Sequence, residues 1–308
     1  MFTPANIIAA LLTLAPFLAA AFFPTRFAAH VRALPRAARL LCPSLLAIPY
    51  LLVAGPAGIF RWSWFALYAL LPVAIALLLS RAAQADPDLP NQRGRWQDFL
   101  VLAILGLSVD LRWFQSAWPA HLIVFNKVLL LDLGLYGFLA IRPLTGVGFD
   151  LRLRPRDFTT GLRELLLYLP IALALGLSLG FLHFHGLWPV SALAGLDHWG
   201  IWSSIAAIPI AWFFTFFFIA VPEELFFRGW LQNLLERRLG RTPALIVTAI
   251  LFGLSHFNKR AVQFNWRYVL LAAIAGIFYG RAWRRNRRVA ASAVTHASVD
   301  AIWSLWLR

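Results

Sequence analysis

Long apolar runs bounded by short clusters of arginine decide what this chain can fold into. Runs of roughly 17 to 23 residues recur along its length, and about 20 residues of helix cross the ~30 Å hydrocarbon core of a bilayer. Only 13% of the 308 residues are Asp, Glu, Lys or Arg and 61% are hydrophobic, where a soluble domain carries about a quarter charged. A water-soluble globule is excluded. Disorder is excluded too, because 26 Phe and 14 Trp are far more apolar anchors than a solvated chain tolerates. The segments 5–23, 40–59, 62–80, 98–111, 121–141, 162–182, 202–221, 243–258, 268–283 and 289–307 predict an all-α polytopic transmembrane helix bundle of about 8–10 helices. The shortest, 98–111, ends in Asp110 and Arg112. No Lys or Arg precedes the first apolar core, which reads as a retained helix and not a cleaved signal.

The formal charge is +15, a balance that in a soluble protein would point to nucleic acid. Here the basic residues sit between apolar runs, so their partners are membrane lipids and no nucleic acid is expected. With the N-terminus outside, 20 of the 28 Lys and Arg fall in the alternate loops 24–39, 81–97, 142–163, 237–241 and 281–288. The opposite side holds Arg61, Arg112, Lys259, Arg260, Arg267 and Arg308, read as solvated loop cations. Short cytoplasmic loops keep the positive excess, so the arginine-rich side is assigned to the cytoplasm. Arginine-rich composition with a retained first helix fits a multi-pass protein of a bacterial plasma (inner) membrane. The single Cys42 permits no internal disulfide.

Polar breaks divide the chain into an N-terminal membrane region, 1–141, a basic cytoplasmic connector, 142–163, and a C-terminal membrane domain, 164–308. No repeat of 20 to 50 residues and no inverted repeat is visible. Lys127 and Asp132 share an apolar segment at a spacing too far round one helix for a pair. His183, His185 and His198 read as solvated loop residues. Ala272, Gly276 and Gly280 form a small-residue stripe suited to close helix packing.

Charged groups inside a bilayer are costly, about 2.5 to 3.5 kcal/mol each on insertion scales, and mark function by default. The C-terminal third concentrates them as Pro222-Glu223-Glu224, Arg228, Phe252, His256, His296 and Asp300. Glu224 and Arg228 are i,i+4 neighbours that pair on a helix, while Glu223, about 100° away, is left free. His296 and Asp300 are likewise i,i+4. Pro222 predicts a helix start that puts both Glu at its positive end. Counted at about 1.5 Å per residue from the basic clusters, Glu224, His256, His296 and Asp300 lie about 20, 21, 12 and 18 Å deep, a shared level from separate segments. Such a set activates water: Glu223 accepts a proton, His256 orients the water, and His296 donates to a tetrahedral oxygen. The same residue types also suit zinc with an open position, through Glu223, His256 and His296. The residues alone leave both schemes open.

At these positions the chain resembles the CPBP intramembrane protease family, also called the CAAX prenyl protease 2 or Abi family. Its EExxxR, FxxxH and HxxxN/D motifs correspond to Glu223, Glu224 and Arg228, to Phe252 and His256, and to His296 and Asp300. The resemblance covers about 165–308. It implies a glutamic-type endopeptidase whose cavity opens to the cytoplasmic side; no cofactor is favoured, and zinc is the alternative. Glu223 would be the base, His256 its partner, His296 and Asp300 the oxyanion pair, and Glu224 with Arg228 a structural pair. Asp300 stands where Asn also occurs and donates a hydrogen bond only when protonated. The expected substrate is a peptide or a membrane-anchored protein, and nothing in the string sets an oligomeric state. A transporter or proton-coupled carrier, and a catalytically inactive immunity or scaffold relative, are the alternatives.

Overall fold

The protein is seen in a computed structural model that describes residues 3–89, 91–184, 201–259 and 263–307. All regular structure among these residues is helical. Six helices are long and apolar enough to cross a membrane: α1 (Pro4–Phe22), α3 (Arg36–Ala54), α4 (Trp62–Ala85), α6 (Ala120–Ile141), α7 (Pro155–Ser178) and α8, apolar over Ile208–Leu239. Shorter ones are α2 (Pro24–Ala33), α5 (Trp96–Asp110) and α9 (Arg241–Leu254). The last two, α10 (Trp266–Asn286) and α11 (Val289–Trp306), reach spanning length but carry arginines or the polar residues of the site. Leu, Ile and Phe side chains such as Leu70, Leu166, Ile210 and Phe214 are exposed, the arrangement that lipid as solvent requires. This is an integral multi-pass all-α membrane protein.

The chain divides into two compact units, Met1–Thr145 and Gly146–Arg308. The first holds two internal polar centres. Tyr68 donates to Asn126 Oδ1 at 2.9 Å and accepts from Trp118 Nε1 at 2.7 Å. Arg142 is fully buried and lies 3.2 Å from Asp98, itself the cap of α5, and beside Asp86. Burial raises the Asp86 carboxyl, but Arg142 and the N–H groups of Gly94 and Arg93 outweigh it and hold it below the usual carboxylate value. Lys127 is exposed, whereas Asp132 is buried with neither oxygen hydrogen-bonded.

In the second unit, small residues set how closely helices approach. A Cβ on Gly161 of α7 would lie 2.9 Å from Ala291 O of α11, and Thr295 donates to Gly161 O at 3.0 Å. On α10 a Cβ at Gly276 would lie 3.1 Å from Ala249, and one at Gly280 only 2.4 Å from Leu245, both on α9. The small-residue stripe is thus the α9–α10 seam. Arg288, just before α11, bonds Asp157 at 2.8 Å, and Asp157 caps α7 by accepting from Arg154 N–H at 2.9 Å. One arginine therefore ties the start of α7 to the start of α11.

Two local expectations are corrected here. No helix begins at Pro222: the chain is helical from Ile201 to Leu239, with wide π turns over Phe216–Ala220 and Leu225–Gln232 flanking Val221–Glu224. Proline has no N–H for the preceding turn, and an insertion of this kind absorbs the misfit and is frequent at functional sites. Glu223 and Glu224 consequently sit mid-helix, without a positive helix end. His256 is not on α9, which stops at Leu254, but in the turn that follows. His183 is exposed, while His185 and His198 lie outside the described residues.

Candidate active site

Glu224 is fully buried and is the hub. Its Oε1 accepts from His296 Nδ1 at 2.8 Å, and its Oε2 lies 3.1 Å from Arg228 Nε and accepts from the Ser292 hydroxyl. The Arg228 contact is an ion pair whose angle is not that of a hydrogen bond; the guanidinium instead donates to Gly276 O at 3.3 Å and lies 4.8 Å from the Phe252 ring. An arginine enclosed by Phe227, Phe252 and Tyr279 is held by charge and by aromatic faces together.

The bond to Glu224 fixes His296 as an Nδ1–H donor, because a carboxylate accepts only. Its Nε2 then faces Asp300 Oδ2 at 3.6 Å and Glu223 Oε2 at 4.0 Å. Phe252 joins the second histidine to the first, with ring centroids 4.9 Å from His256 and 5.6 Å from His296. His256 Nδ1 lies 2.8 Å from Phe252 O, so this nitrogen carries a proton, and in the neutral ring Nε2 keeps its lone pair. His256, His296 and Asp300 line one cavity with Tyr168, Tyr268 and Trp303. Its volume is about 70 Å³, ample for several waters when one needs about 10–15 Å³.

All six residues singled out in the sequence, Glu223, Glu224, Arg228, His256, His296 and Asp300, are thus joined by direct contacts or through Phe252. Three features differ from expectation. Glu223 is not left free, since Lys259 Nζ approaches its Oε1 at 3.7 Å, and Lys259 is not merely a solvated loop cation. Glu224 serves His296 as well as Arg228. Ser292 is a further member of the cluster, standing with His296 and Asp300 at i, i+4 and i+8 on one face of α11.

The cavity lies at one end of its helices. It is lined by Ala172 and Phe181 at the far end of α7, by Tyr268 and Leu271 at the start of α10, and by Trp303 and Leu307 at the end of α11. The arginine-rich ends, at Arg154, Arg241, Arg284 and Arg288, are the opposite ones. The cavity lining thus runs from mid-helix, at Tyr168, Tyr279 and His296, toward the ends that lie away from these arginines.

Residues 205–302 match the family model described as type II CAAX prenyl endopeptidase Rce1-like. The chain carries a CPBP/CAAX protease domain. The match covers about a third of the chain and contains every residue of the cluster. The domain is that of a CAAX-type intramembrane protease. Comparison with curated proteins and with solved structures returned no match. Among the described residues no three His, Cys, Asp or Glu side chains are grouped so as to hold a metal ion.

Proposed function

We propose that the CAAX-type protease domain is a glutamic-type intramembrane endopeptidase of a bacterial plasma membrane, cutting a peptide or the tail of a membrane-anchored protein. The observation that carries the reading is the Glu224-held His296, whose Nε2 points toward Glu223 and Asp300 at the edge of a cavity shared with His256. A water at the edge of that cavity, beside the His296 Nε2 that Glu223 approaches, gives a proton to Glu223 while His256 Nε2 accepts its other hydrogen, which orients the attacking lone pair at the amide carbon. The carbonyl oxygen becomes an oxyanion and takes a hydrogen bond from His296 Nε2–H. Glu224 keeps the imidazole in the donating orientation and Arg228 balances the charge of Glu224. Asp300 stands beside His296 Nε2 and stabilises the protonated ring, so it does not have to donate. Glu223 then returns its proton to the leaving amine. No step runs through a metal.

The test is proteomic. Cells expressing the wild-type chain, Glu223→Ala or His256→Ala are compared for new N-termini in membrane proteins, and the purified protein is then assayed on the peptides found. Loss of one general base costs about 10²–10⁴ in rate, so each variant falls to background, while wild-type turnover is unchanged by chelators. Cutting by both variants at the wild-type rate overturns the assignment. Loss of wild-type activity on chelation, restored by added zinc, replaces Glu223 chemistry with metal chemistry.

A further inference from the structure

We propose that Tyr279 and Ser292 form a clamp that holds the His296 imidazole in its working orientation, making them positioning residues of the endopeptidase read above. The Tyr279 ring lies parallel to the His296 ring, with centroids 4.6 Å apart and planes at 16°. Face-to-face contact of this kind restrains tilt of the imidazole, whereas the Glu224 bond to Nδ1 restrains rotation within its plane. Together they leave Nε2 one direction, toward Asp300 and Glu223.

Ser292 closes the arrangement from the other side. It sits one turn before His296 on α11, and its single hydroxyl hydrogen is shared between two acceptors, Glu224 Oε2 and the backbone carbonyl of Tyr279, the latter at 2.8 Å. The carboxylate that orients the histidine is thereby anchored to the same residue of α10 that stacks on it. Tyr279 is itself fixed, since its ring meets Phe252 edge-on at 5.7 Å and lies 5.7 Å from the Arg228 guanidinium. The next residue, Gly280, brings this part of α10 close to Leu245 and Gln232. Three helices, α8, α10 and α11, therefore converge on one imidazole. Hydrolysis needs a hydrogen bond aimed where the oxyanion forms, and a donor displaced by about 1 Å can cost 10²-fold.

The experiment uses full-length protein in detergent micelles with isotope-labelled histidine. The chain has seven His, and His296 is assigned by the signal that disappears in His296→Gln. Stacking on Tyr279 displaces its ring protons to high field. Tyr279→Leu is expected to abolish that displacement and to lower kcat about 10- to 100-fold with KM within about twofold, on a peptide found by N-terminal mapping. Tyr279→Phe keeps the aromatic face and should retain both. Ser292→Ala should lower kcat about tenfold while the stacking displacement persists. Wild-type kcat in Tyr279→Leu, or Phe as impaired as Leu, overturns the clamp. Should Tyr279→Leu not fold, unchanged kcat in Ser292→Ala overturns it alone. If the wild-type chain cuts nothing, a high-field His296 signal still stands or falls with Tyr279, which separates failure of the clamp from failure of the endopeptidase reading.

Discussion

Arg228 lies fully buried between Glu224 and the carbonyl of Gly276, with the rings of Phe227, Phe252 and Tyr279 around its guanidinium. Removing one member of such a pair strands the other charge in a low-dielectric interior, and Glu224 would be left with His296 and Ser292 alone. Arg228→Met is expected to destabilise the fold by roughly 3–5 kcal/mol, measured by denaturant unfolding in micelles. A loss under about 1 kcal/mol would mean that aromatic packing and not charge holds the residue. A second residue-scale effect lies outside the spanning segments. Burial raises the Asp150 carboxyl, but its bonds to the Arg152 side chain and N–H, with the charges of Arg152 and Arg288, outweigh this and hold it below the usual carboxylate value. A depressed folded value means that the stabilisation is present in full above the unfolded value, near 3.9, and is lost as pH falls through the lower folded one. Thermal stability should therefore drop below about pH 4, less steeply in Asp150→Asn; equal slopes would remove Asp150 from the account.

Helix ends and turns show which parts of the architecture depend on one residue type. Gly148 has φ +72°, and a Cβ there would fall 2.0 Å from Arg287 O; Gly240 has φ +81° with nothing within 4 Å of its Cβ. Gly240→Ala should cost roughly 1–3 kcal/mol, because φ +81° with ψ 173° is a backbone region essentially confined to glycine, and Gly148→Ala, which adds the clash, should cost more. The second substitution must also part the connector from α11, where Val289 N–H donates to Gly148 O at 2.9 Å. Equal losses in unfolding experiments would show that the connector is not seated there. The same scale explains what the sequence revealed. Carboxylates and imidazoles in apolar runs are conspicuous, and i,i+4 spacing alone pairs Glu224 with Arg228. It does not reveal that Glu224 also meets His296, 72 positions away, since that contact arises only when α8 and α11 pack. Pro222 misled for a related reason: its missing N–H permits a helix start or a wide turn, and the surrounding helix packing selects the turn. Lys259 is indistinguishable from a solvated cation until the turn after α9 folds back on Glu223. Ser292 was legible by spacing, but a lone serine in a helix carries no signal of its own.

At the scale of the whole molecule, the distribution of arginine and the place of the cavity make one argument about sidedness. Within Gly146–Arg308, the starts of α7, α9 and α11 and the end of α10 carry most of the arginines, with Arg267 at the start of α10 an exception, whereas the cavity is lined from mid-helix toward the other ends of α7, α10 and α11. Translocating an arginine-rich loop is disfavoured; with that end in the cytoplasm, the cavity end faces the opposite compartment. Substrate would enter from there, and not from the side that the family resemblance alone implies. The single native cysteine makes the test direct: in a Cys42→Ser background, Gln263→Cys and Arg285→Cys each place one exposed thiol at opposite ends of α10. A membrane-impermeant thiol reagent added to intact cells should label position 263 and leave position 285 unlabelled until the membrane is opened. Labelling of 285 alone would invert the assignment and return the cavity to the cytoplasm. Labelling of both from outside would mean that α10 does not span the bilayer, and the shared depth of the three catalytic segments would lose its physical basis.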